Sequence, residues 1–115
     1  FCLEDNRNMS AYFLVITTVA EQVDAKKLAE LALEKGLAGC VQVQAACTSF
    51  YEWQGKAETS TEYPVHFKTN QLKKDPLMKW LKDNHPYELP EIVAVEIKDL
   101  EPAYAKWLDE QMNSK

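Results

Sequence analysis

Between Cys40 and Phe67 the chain alternates apolar and polar residues on both sides of a single turn signal, and few folds can absorb so long a hairpin. Val41, Val43 and Ala45 alternate with Gln42 and Gln44 in a strand-like region running from Cys40 to Trp53. Gln54-Gly55 reads as a two-residue hairpin turn. On the return arm Tyr63, Val65 and Phe67 alternate with Pro64, His66 and Lys68. Pro64 has no N–H for a ladder hydrogen bond, so it must sit at an edge or a bulge. Both arms exceed the usual strand of about five or six residues. A hairpin longer than its own domain exposes apolar surface that must pack elsewhere. Here Phe50, Tyr51 and Trp53 crowd the tip, and an oligomer interface is the simplest cover for them.

The flanking segments supply the rest of the fold. Tyr12-Phe13-Leu14-Val15-Ile16 is a short apolar run with the character of a strand buried on both faces. From Glu21 to Lys35 the spacing turns helical, with Ala25, Leu28, Ala29 and Ala32 on one face and Gly36 at the C-cap position. Asp75-Pro76 predicts the start of a second helix, which must end near Asn84 because Pro86 disfavours α conformation at His85. Ile92 to Ile97 reads as a further strand, and Pro102 opens a last helix carrying Tyr104, Trp107 and Leu108. The order β-α-β-β-α-β plus a C-terminal helix is that of an α+β, ferredoxin-like domain. Its long hairpin joins the second and third strands. Residues 1–8 lack periodicity and precede Met9, so they read as a tail foreign to a single domain over 9–115.

Composition narrows the function classes. The net charge is −5, and no basic cluster exceeds Lys73-Lys74, which disfavours nucleic acid and anionic membrane as partners. No apolar run approaches the roughly 18 residues of a membrane span, and no secretory signal pattern is present. Cys2, Cys40 and Cys47 are odd in number and irregular in spacing, which points to a reducing cytoplasm rather than a disulfide framework. On one unbroken strand Cys40 and Cys47 would lie roughly 23 Å apart on opposite faces.

Three segments could carry chemistry. The first is His85-Pro86-Tyr87-Glu88-Leu89-Pro90-Glu91, in which two prolines stiffen a path bearing an imidazole, a phenol and two carboxylates. Imidazole with carboxylate suits Cu²⁺ or Zn²⁺, while a histidine at a helix C-terminus equally serves to bond the last carbonyls. The second is Ser49 to Lys56, whose aromatics either pair across the hairpin or form a pocket wall against a neighbouring subunit. The third is a nucleophile, Cys40 or Ser49, with His66 or His85 and a carboxylate. Nothing in the spacing assembles those groups, so no enzyme is expected.

Taken in order, these segments resemble CutA, the divalent-cation tolerance proteins. The likeness runs from about Tyr12 to Leu108. It rests on Gly39-Cys40-Val41, on Ser49-Phe50-Tyr51-Glu52-Trp53-Gln54-Gly55-Lys56, on Glu62 and Lys68-Thr69, on His85-Pro86-Tyr87 with Pro90-Glu91-Ile92, and on Tyr104 with Trp107-Leu108. The resemblance implies a homotrimer of ferredoxin-like protomers, similar in architecture to the PII signalling proteins, with hairpins reaching around neighbouring subunits. It implies a part in tolerance of copper or other divalent ions, no obligatory cofactor and no catalysis. His85 and Glu91 fall on the family motif and are the expected metal ligands. Tyr51, Trp53, Lys68 and Tyr87 are the expected intersubunit pocket residues. Thr17 stands where some members have a cysteine, and its hydroxyl is a harder donor than a thiolate. The alternatives are a PII-like small-molecule sensing module and a purely structural trimeric adaptor.

Overall fold

A computed structural model describes residues 11–114; the tail 1–8 and Met9 lie outside the described residues. Among the described residues, five strands and three helices follow in chain order. They are β1 (Tyr12–Val19), α1 (Gln22–Glu34), β2 (Cys40–Val43), β3 (Cys47–Trp53), β4 (Lys56–Asn70), α2 (Gln71–Asn84), β5 (Ile92–Ile97) and α3 (Pro102–Asn113). The antiparallel sheet runs β2-β4-β1-β5, with β3 continuing the line of β2 along β4. With β2 and β3 counted as one interrupted strand, this is the ferredoxin-like order expected from the sequence.

Period-two alternation decides which side chains are buried. Val15, Thr17 and Val19 of β1 and Val65, Phe67 and Thr69 of β4 are fully buried. They face Ala25, Leu28 and Ala32 of α1 and Leu77 and Leu81 of α2 in one core. The other set, including Leu14, Ile16, His66 and Val93, lies on the opposite face. There α3 covers only one end. Tyr12 donates its hydroxyl to Asp109 at 2.9 Å, Lys68 reaches the Tyr104 hydroxyl at 3.4 Å, and Leu108 packs on Gly39. Val93 and Val95 remain 41% and 48% exposed.

Helix ends follow local chemistry. Gly36 adopts φ 70°, and the N–H groups of Gly36 and Leu37 close on the carbonyls of Leu33 and Ala32. That is the Schellman pattern, which only a left-handed residue permits without strain. Helix α2 begins five residues earlier than Asp75-Pro76 predicts. Asn70 accepts a side-chain hydrogen bond from the Lys73 N–H at 2.9 Å and so caps the helix, leaving Pro76 in its second turn. A proline there removes one intrahelical bond without preventing the capped first turn from forming. At the other end His85 is extended (φ −79°, ψ 141°), as a residue before proline should be.

The hairpin departs from the single long strand expected over Cys40–Trp53. Val43 pairs with Val65 and Cys47 with Glu62, so three residues, 44–46, oppose two, 63 and 64. This one-residue excess is a β-bulge, and Ala45 belongs to it rather than to the alternation. Gln44 donates its N–H to the Pro64 carbonyl at 2.8 Å. The nitrogen of Pro64 points to that same side, so its missing donor falls opposite the bulge. The bulge also inverts the pleat. Cys40 and Cys47, paired with Lys68 and Glu62, lie on the same face and not on opposite ones, roughly 20 Å apart along β4.

Candidate functional site

Beyond the bulge the hairpin stands clear of β1, which pairs only with Tyr63–Asn70. The tip is a two-residue turn with positive φ at both positions, 50° at Gln54 and 79° at Gly55. This is a type I′ geometry, matching the twist of the flanking strands. The turn sets Trp53 opposite Lys56 and therefore Tyr51 opposite Glu58, Ser49 opposite Ser60 and Cys47 opposite Glu62. Those alternate residues share one face of the ribbon, while Phe50 points from the other and is 78% exposed.

The segment after α2 folds against that face and closes a cleft of about 630 Å³. From the hairpin, Tyr51, Trp53, Glu58, Ser60 and Glu62 line it; from β1, Thr18; from the segment before β5, Tyr87, Glu88, Leu89 and Glu91. Its floor is a hydrogen-bonded knot around Glu62. One carboxylate oxygen, Oε2, accepts from the Thr18 hydroxyl at 3.1 Å and from the Tyr87 hydroxyl at 2.9 Å. Burial alone would raise the Glu62 pKa. Hydrogen bonds from Ser49, Tyr87 and Thr18, with His85 nearby, outweigh it and hold the carboxyl below its usual value. Burial first, and then the bond to Glu62, push the Tyr87 phenol far up, so it stays a donor.

His85 is the anchor of this segment. Its Nδ1 accepts from the Tyr87 N–H at 3.0 Å, so the ring proton sits on Nε2, which donates to the Thr18 carbonyl at 2.9 Å. Burial is the main cause holding its pKa below the ordinary value, and the ring stays neutral. A second anchor is Thr17, whose hydroxyl donates to the Glu91 carbonyl at 2.7 Å. The residue expected to matter as a missing soft ligand is thus a buried clamp that fixes the entry to β5.

The expected site residues divide accordingly. Tyr51, Trp53, Tyr87 and Glu91 come together in the cleft, and Glu88 lines it with them. His85 lies behind the wall, with both ring nitrogens engaged. Lys68 is not a cleft residue: it lies six positions along β4 from Glu62, roughly 20 Å away, with its ammonium 5.3 Å from the Tyr104 ring centroid. It shares a face of β4 with Glu62, and distance along the strand, not the pleat, keeps it from the ribbon aromatics. Ser49 acts on the Glu62 carboxylate, helping to lower its pKa, and not on an imidazole. Glu58 and Ser60 were not anticipated, although the turn at Gln54-Gly55 fixes the register that sets them opposite Tyr51 and Ser49. Among the described residues, no group of three or more His, Cys, Asp or Glu side chains is arranged to hold a metal ion.

The family model described as CutA1 divalent ion tolerance protein matches residues 13–111. The chain belongs to the CutA1 family. It is 33% identical over 96 residues to the divalent-cation tolerance protein CutA of Yersinia pestis (strain Pestoides F), covering 84% of this chain and 81% of that protein. Its fold is similar to that of CutA from Synechococcus elongatus PCC7942, with a TM-score of 0.86, 38% identity and coverage of 90% of this chain and 92% of that one. A second structure of that cyanobacterial protein, complexed with a Bis-Tris molecule, gives a TM-score of 0.82 at 36% identity, covering 90% and 95%. CutA from Xylella fastidiosa gives 0.85 at 31% identity, covering 90% and 99%. Among the described residues, no helix of this CutA1-family chain is long and apolar enough to cross a membrane.

Proposed function

We propose that this chain acts in the cytoplasm as a non-enzymatic homotrimer in the tolerance of divalent ions such as copper. The observation that carries the assembly is the uncovered apolar surface on both its projections. Phe50 and Trp53 on the hairpin are 78% and 48% exposed, and Val93 and Val95 on the open sheet face 41% and 48%. Surface of this kind is ordinarily covered by a partner, and a threefold ring of identical chains covers it with no other component. Light scattering at low concentration should give three times the 13.2 kDa chain mass. A monomeric mass would sink this reading.

Binding of the ion at His85 and Glu91 is weak in this proposal, for a stated reason. An imidazole whose two nitrogens are engaged must release Thr18 or Tyr87 before it can ligate. Calorimetric titration with Cu²⁺ and Zn²⁺ tests it. Equal binding by the wild type and by a His85→Ala, Glu91→Ala double variant would remove the site.

A second reading, a small-molecule binding module, is supported by the cleft itself and by the Bis-Tris complex of the cyanobacterial relative. Its volume, about 630 Å³, falls in the range of organic-ligand pockets. A bound compound at about 100 times its Kd stabilises the folded chain by roughly 2.7 kcal/mol, which a thermal-shift screen detects. Silence across a broad library would count against it.

A further inference from the structure

From the charge and shape of the cleft we infer that it is built for a small organic ammonium ion; this rests on the small-molecule reading above and narrows it to a ligand class. Four of the ten residues that line the cleft are glutamates, at positions 58, 62, 88 and 91, and none is basic. A concave site lined by one sign of charge concentrates the opposite sign. The acidic lining excludes organic anions and leaves a cation as the favoured guest.

Geometry then separates an organic cation from a metal ion. A divalent metal takes several oxygen or nitrogen donors converging at about 2.0–2.6 Å. Among the described residues no three carboxylate, imidazole or thiol side chains converge in that way. The glutamates are instead distributed over three places: Glu58 toward the hairpin tip, Glu62 at the floor, and Glu88 and Glu91 on the facing segment. The space between them suits a molecule of several non-hydrogen atoms. The walls agree with this. Tyr51 and Trp53 stand two residues apart on one face of β3, each about half exposed (47% and 48%). Aromatic faces beside carboxylates recognise substituted ammonium groups, because the ring quadrupole attracts the charge while the ring covers the carbon substituents. Ser60 adds a hydroxyl between Glu58 and Glu62, able to meet a ligand hydroxyl.

The test is calorimetry on the full chain with three probes at fixed ionic strength: choline, its neutral carbon isostere 3,3-dimethyl-1-butanol, and acetate. Choline should saturate and bind at least about tenfold more tightly than the isostere, and acetate should not bind. Trp53→Leu and Glu58→Gln should each weaken choline severalfold; Glu58 is exposed and polar, so Glu58→Gln should keep the wild-type mass and melting temperature, and Trp53→Leu is compared at matched mass by light scattering. Added salt should weaken choline further. An isostere that binds as tightly as choline would overturn the inference, as would choline binding that neither variant changes. If the neutral compound or acetate binds and Trp53→Leu abolishes it while choline is silent, the charge reading falls and the small-molecule reading survives. Silence from all three probes overturns the ammonium inference and leaves the small-molecule reading to the thermal-shift library.

Discussion

The two halves of β4 are one continuous strand in two different environments. From Tyr63 to Asn70 it is flanked by β1 along its whole length, and by β2 as far as Lys68. One set of its side chains, Val65, Phe67 and Thr69, is sealed under α1 and α2. From Lys56 to Glu62 its only partner is β3, and up to Thr61 only Ser60 is even partly buried. A two-stranded ribbon is marginal on its own in water. The inner half is therefore held by burial, whereas the outer half is held by its turn and by the knot at Glu62, and in the proposed trimer by a neighbouring subunit. The same division sets the cleft apart from the core: the residues that line the cleft from the hairpin all belong to the outer half or to β3.

The sharpest way to break this comparison is to truncate one phenylalanine in each half of the hairpin. Phe67→Ala empties a fully buried site and should destabilise the chain by about 3–5 kcal/mol in urea denaturation. Phe50→Ala, on an exposed ribbon face, should leave the fold within about 0.5 kcal/mol and instead weaken association by light scattering. Comparable losses of fold stability would show that the ribbon is as much core as the body.

Gly39→Ala probes the body from its other face. An added Cβ would meet Leu108 Cδ1 at 2.6 Å and Met112 Sδ at 3.2 Å, so α3 must move. Such overpacking should cost roughly 1–3 kcal/mol without altering ligand binding in the cleft.

The junction at Glu62 predicts a pH signature. His85 and Glu62 both have folded pKa values below their ordinary ones, 6.5 and 4.5. A group of either kind with a lowered value contributes stability that is present above its unfolded pKa and lost as pH falls through the folded one. Stability measured against pH should therefore decline below about 6.5 and again below about 4.5. His85→Gln should flatten the first limb and Glu62→Gln the second. If neither variant changes the profile, the knot does not hold the outer half in place.

The smallest effect belongs to the tip. Gln54 carries a left-handed φ of 50°, which asparagine tolerates better. Gln54→Asn should stabilise by up to about 1 kcal/mol in the same denaturation series, through the ribbon alone.

Much of this was legible in the residues because it is local. The 3.6-residue spacing of Ala25, Leu28 and Ala32 and the glycine at position 36 set α1 and its end within a residue. Pro86 set the end of α2, and Gln54-Gly55 set the turn. The start of α2 was misplaced because Asn70, a cap with no apolar run directly behind it, outcompeted the stronger-looking Asp75-Pro76. The cleft was half legible. Tyr51, Trp53, Tyr87 and Glu91 are unusual residues in unusual places, whereas Glu58 and Ser60 look like any solvated strand face.

What the sequence by itself determined is the order of elements, the ferredoxin-like class and the family, since these follow from periodicity, caps and short motifs within a few residues of one another. Only the tertiary structure decided which of those residues meet. The bulge opposite Pro64 is a mismatch between two strands: Pro64 signals an edge or a bulge, but neither strand alone says which, or where the extra residue falls. By inverting the pleat it put Tyr51 and Trp53 on the cleft side, while distance along β4 leaves Lys68 with α3. In the same way His85 looked like a ligand in isolation. Its partners, the Thr18 carbonyl 67 residues away and the Tyr87 N–H, made it a structural anchor by occupying both of its nitrogens.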